Sequence, residues 1–123
     1  MTYDAMLDQI LSGQMPANGL SHQDHLGTAH AALRRWEFFE AAHRYASALR
    51  AVTQAAGAPG KFNATLTLAY LSLVAERMGP EGSEAFVAEN PDLRPEALGR
   101  IGYDAARLSH PKAREVALLP AGL

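Results

Sequence analysis

Apolar side chains recur along nearly the whole chain at helical rather than strand spacing. From Thr2 to Ser12 they fall at Tyr3, Met6, Leu7, Ile10 and Leu11, one stripe closed by Gly13. The stretch "QMPANGL" reads as a loop, with Pro16 and an Asn18-Gly19 turn. Ser21 opens a second helix. Ser21 and Asp24 stand in the relation of a capping box, with Asp replacing the usual Glu, and Leu26, Ala29 and Leu33 form the inward stripe that His22 extends back.

A third helix is expected from Trp36 to Ala56, with Phe38, Phe39, Ala42, Tyr45, Ala46, Leu49 and Val52 at helical spacing and Gly57 as its stop. Asn63 caps a fourth, over about 63–78, that is apolar nearly all round from Leu66 to Val74. A pattern of that kind belongs to a helix covered on several sides, so its place is the centre of the bundle. Ser83 is placed to cap a shorter helix ending at Glu89, and another begins near Pro95. Residues 103–123, with Pro111 and Pro120 and little periodicity, read as a partly irregular tail. There is no strand-like alternation, repeat or low-complexity run. The expected fold is all-α, a compact bundle of five to six helices in a single domain spanning 1–123.

Composition narrows the functional classes. Apolar residues make up 48% and charged residues 20%, a globular balance. Net charge is −2 and only two lysines occur, so the basic stripe of a nucleic-acid binder is missing. Without cysteine there is no disulfide framework and no thiolate nucleophile or ligand. The N-terminus "MTYDAMLDQI" lacks a basic leader segment. No apolar run reaches the roughly 18–20 residues that span a bilayer. A soluble cytoplasmic protein is expected, with no membrane or nucleic-acid partner and no cofactor.

Loop lengths then build a candidate site. Short connections make successive helices antiparallel, so the second and fourth run the same way and begin at one end of the bundle. That brings His22 and His25 towards Asn63, Thr65 and Thr67. His22 and His25 are three apart and share a helix face. His30 stands about 140° round from His25 and faces elsewhere. His43 flanks the stripe of the third helix and is a candidate to line the bundle, while His110 precedes a proline in the tail.

Three readings compete for the His pair. Two helix N-termini facing one space favour an anion and keep nearby imidazole neutral. His25 then serves as acid–base group or hydrogen-bond reader with His22 as its partner, and Asn63, Thr65 and Thr67 orient a small polar or anionic ligand. Arg107 or Arg114 could close over such a ligand from the tail, Arg114 being the stronger candidate. The second reading is an interaction module without chemistry, with Trp36, Phe38 and Phe39 as a dimer or partner surface. The third is a His-ligated metal enzyme, but H-x-x-H has no visibly spaced third ligand.

The segments "HQDHLGTAHAAL", "GKFNATLTLAYLSLVAERM" and "YDAARLSHPKARE" resemble a family of small uncharacterised all-helical bacterial proteins. Its members carry an H-x-x-HL segment, a (Y/F)-(H/N)-x-T-hydrophobic-T segment and a Ser and Ala-Arg stretch before a proline-containing tail. The resemblance spans about Ser21 to Pro120 and marks His22, His25, Thr65, Thr67, Ser109, Ala113 and Arg114. Where the family usually has Tyr-His, this chain has Phe62-Asn63. Asn is a poor ligand for transition metals, so the departure argues against a metal here and none is assigned.

Overall fold

The computed structural model describes residues 1–15 and 19–121. Within them lie eight α-helices, one 3-10 turn and no strand: α1 Tyr3–Leu11, α2 His22–Arg35, α3 Phe38–Ala55, the turn Pro59–Lys61, α4 Ala64–Arg77, α5 Ser83–Glu89, α6 Pro95–Arg100, α7 Ala105–Ser109 and α8 Pro111–Glu115. The chain is all-α. Pro16 to Asn18, part of the expected loop and of its Asn18-Gly19 turn, lie outside the described residues, as do Gly122 and Leu123.

Helix starts follow local chemistry. Ser21 Oγ accepts the Asp24 N–H at 3.1 Å while the Asp24 carboxylate accepts the Ser21 N–H at 3.0 Å, completing the capping box. Asn63 Oδ1 accepts the Leu66 N–H at 2.9 Å and starts α4. Trp36, expected to open the third helix, closes α2 instead. Glu37 is the N-cap of α3, its carboxylate accepting from Phe39 and Glu40 N–H. Gly57, at φ +71°, ends α3 as its position suggested. Gly82 rather than Ser83 is the N-cap of α5.

The tail is more regular than its pattern implied. α7 and α8 are five residues each, too short for an apolar period to register, and are started by Asp104 and by His110 with Pro111 following.

The central place expected of α4 falls to α2, which packs against α1, α3, α4 and α5 and is buried continuously from Leu26 to Ala32. Its small residues allow close approach on every side. The ring of Tyr3 occupies the space beside Gly27, where a Cβ would lie 2.3 Å from Tyr3 Cγ. α4 keeps Leu68 at the surface. Two apolar clusters share α2. One joins Leu7, Ile10, Ala32, Tyr45 and Leu49; the other joins Leu26, Tyr70, Val74, Phe86, Leu93 and Leu98. Each large side chain so enclosed is worth about 1.5–3 kcal/mol. No helix among the described residues is long and apolar enough to cross a membrane.

A cleft between the first turns of two helices

α2 and α4 begin beside one another, and a cleft of about 670 Å³ opens between their first turns. Its walls are largely carbon, from Leu20, Leu49, Phe62, Leu66 and Leu108 among others, with Pro95 at one edge. That size lies within the range of small-molecule sites. Among the described residues the polar side chains on the walls are His22, His25, Tyr45, Thr53, Lys61, Asn63, Thr67 and Tyr70.

The two histidines are in different states. His22 Nε2 donates to the Leu93 carbonyl, so Nε2 carries a proton. The same ring tilts against Tyr70, centroids 5.2 Å apart. The His25 ring is half-buried and has no hydrogen-bond partner among the described residues. Burial, and then the neighbouring charge of His22, pushes its pKa below the ordinary histidine value, against a smaller opposing pull from Asp24. Near neutral pH it is an uncharged imidazole, able to accept at one nitrogen and donate at the other.

The backbone beneath His25 is held by α3. Thr28 Oγ1 lies 2.7 Å from the Asp24 carbonyl and 2.7 Å from Tyr45 Oη. The arrangement that uses both short contacts has Thr28 donating to Asp24 and Tyr45 donating to Thr28. Tyr45 Oη also lies 3.2 Å from the His25 carbonyl. The hydroxyl of Tyr45 is thus spoken for, and burial raises its pKa.

Tyr70 is the opposite case. It is 7% exposed, and its hydroxyl is buried with no hydrogen-bond partner among the described residues. An unpaired buried hydroxyl costs about 1–3 kcal/mol. Burial, with a contribution from Glu96, raises its pKa to about 12, so it remains an O–H donor.

Of the residues expected at the site, His22, His25, Asn63 and Thr67 line this one cleft. Asn63 is already occupied: besides capping α4, its amide donates to the Leu108 carbonyl at 2.9 Å. Thr67 Oγ1 donates to the Asn63 carbonyl at 2.8 Å, leaving lone pairs free. Thr65 does not reach the cleft. Its hydroxyl, 1% exposed, donates to the Val116 carbonyl and accepts the Leu118 N–H, pinning the chain after α8. Arg114 is exposed and lines a different cleft with Arg50, beyond Phe62. Arg107 donates to the Leu119 carbonyl. His43 is exposed on α3 rather than lining the bundle, and His110 caps α8.

Sequence reasoning missed Tyr45, Tyr70, Thr53 and Lys61. The two tyrosines lay inside apolar stripes, where a phenol reads as core, yet each hydroxyl needs a partner, and that requirement was the available signal. Among the described residues no three His, Asp or Glu side chains gather as a metal site would require. Compared with protein-family models, curated proteins and solved structures, the chain matches none.

Proposed function

We propose that this cleft binds a small amphipathic carboxylate, its hydrocarbon part against Ala29 and Leu49 and its charged end towards the first turns of α2 and α4. The observation that carries the reading is Tyr70, a buried hydroxyl without a partner on the wall of a carbon-lined cleft. A ligand oxygen that accepts from Tyr70 repairs that deficit. Two long helices present their positive ends to the same space, and Lys61 stands at its rim.

His25 is the group that would exchange a proton with such a ligand. Its uncharged ring donates to a carboxylate, or takes a proton from the ligand's acidic group. His22, tied to Leu93, is held in place beside it.

Titration with octanoate, octanol and octylammonium, followed by NMR, tests the reading. Saturable shifts at His25 and Tyr70 with octanoate, much weaker with octylammonium, are expected. Absence of saturable octanoate binding at millimolar concentration would overturn it.

The interaction-module reading keeps one observation in its favour. Phe39 is 78% exposed, with Phe38 edge-on at 5.4 Å. Sedimentation of the wild type against Phe39→Ser tests it: a concentration-dependent dimer lost in the variant would support that surface, and a monomer throughout would remove it.

A further inference from the structure

A second group of reactive side chains lies on another face of α2, where it meets α5. His30 is 0% exposed, and its ring stacks on Phe86 with centroids 4.6 Å apart. Nδ1 lies 2.8 Å from Ser83 Oγ. Among the described residues Nε2 has no hydrogen-bond partner, and the nearest carboxylate oxygen, Glu81 Oε1, is 3.8 Å away.

These distances settle the tautomer. Glu81 is ionised: its carboxylate accepts the Gly79 N–H at 2.9 Å, which holds its pKa below the usual range. A lone pair on Nε2 would face that negative charge, so Nε2 carries the proton. Nδ1 is then the acceptor, and Ser83 Oγ–H donates to it. A serine hydroxyl, a neutral imidazole and a carboxylate follow one another in the order that activates an alcohol.

Ser83, although only 7% exposed, forms part of the wall of a surface cleft of about 380 Å³ that also touches Arg34 and Arg35. Arg35 is committed to Asp4 and Asp8 at 3.0 and 2.8 Å. Arg34 makes only a 3.5 Å contact with the Glu81 carbonyl. Among the described residues it is the cation at this cleft with donors to spare.

We propose that Ser83 is a nucleophile towards small carboxylic esters, with His30 as its base and Arg34 opposite the charge that develops on the carbonyl oxygen. Ser83 Oγ bonds to the acyl carbon as its proton passes to His30 Nδ1. The bond from that carbon to the alcohol oxygen then breaks, and the leaving alcohol takes the proton from Nδ1, which the acylated Ser83 side chain uncovers by turning towards the cleft. Water next attacks the acyl-serine, giving a proton to Nδ1, and Ser83 recovers that proton as the carboxylic acid departs. The groups facing His30 are Glu81 from the segment before α5, Glu84 from α5 and Arg34 from its own helix. This inference is independent of the carboxylate cleft.

The test uses the whole protein with a small fluorophosphonate, mapped by mass spectrometry, and with p-nitrophenyl acetate. An adduct on Ser83 and no other serine is expected. Ester hydrolysis should rise with pH through a midpoint below the ordinary histidine value, and vanish in Ser83→Ala. Replacing His30 risks unfolding the core, so the second variant is Arg34→Ala at the surface, expected to slow hydrolysis at least tenfold while the helical circular dichroism stays unchanged. No Ser83 adduct in the folded protein, or hydrolysis unaltered in either variant, would overturn the assignment.

Discussion

His22, in the first turn of α2, donates its Nε2 proton to the carbonyl of Leu93, 71 residues further along the chain. That bond ties the helix carrying both cleft histidines to the segment that leads into α6. It also divides their labour, since His22 is spent on the fold while His25 is not. His22→Ala should therefore cost about 1–2 kcal/mol, the bond plus the ring's contact with Tyr70. His25→Ala should cost less, because its ring surrenders no hydrogen bond. Urea denaturation of the two variants compares them directly, and equal losses would contradict the division.

Stability should depend on pH in a window set by His25 and His30. Burial lowers both pKa values in the folded protein, so between those values and the unfolded value of ~6.5 the unfolded chain binds more protons. Stability is then full above ~6.5 and declines as pH falls through the window. Glu81 and Asp92, whose pKa values are lowered, act only in the more acidic carboxylate range near ~4. Urea midpoints measured on both sides of pH ~6.5 should fall on the acid side. A midpoint that is flat from neutral to mildly acidic pH would show that neither ring is held neutral.

Gly27 is a contact point rather than a helix weakness. Alanine is favoured over glycine within helices by about 1 kcal/mol, yet here its Cβ would meet the root of the Tyr3 ring, which cannot simply swing aside. Gly27→Ala should destabilise by about 1–3 kcal/mol as α1 is displaced. Adding Tyr3→Ala should recover part of that loss. Thermal melts of the two single variants and the double variant form the cycle, and strict additivity would remove the explanation.

Thr65 is expected to govern the tail, not the ligand. Thr65→Val keeps the shape but strands the Val116 carbonyl and the Leu118 N–H, a cost of about 1–3 kcal/mol. Protease cleavage after α8 should accelerate while octanoate affinity stays unchanged. Weakened octanoate binding would instead place Thr65 at the cleft.

The contrast between Thr65 and Thr67 marks the boundary of what sequence could tell. Helix stops at Gly13 and Gly57, the caps at Ser21 and Asn63, and the shared direction of α2 and α4 were all local chemistry or loop length. Those features were enough to bring His22, His25, Asn63 and Thr67 to one place. Two residues apart on a helix means about 200° of rotation, so both threonines cannot face one cleft. Which one turned inward depended on where the chain after α8 lay, and nothing local encodes that. Arg114 was misplaced for the same reason. The orphaned hydroxyl of Tyr70 depends on what fails to approach it, which only the packed fold reveals. His30 was legible as facing away from His25, but its meeting with Ser83 required α5 to fold back across α2.

Tyr70→Phe tests the central claim most directly, because removing one oxygen changes neither the shape of the cleft nor the core. Without a ligand, the variant should be as stable as the wild type or more so, since a buried unpaired hydroxyl has gone. It should nevertheless bind octanoate about tenfold more weakly, equivalent to ~1.4 kcal/mol. Octanoate affinity unchanged by the loss of that hydroxyl would contradict the account.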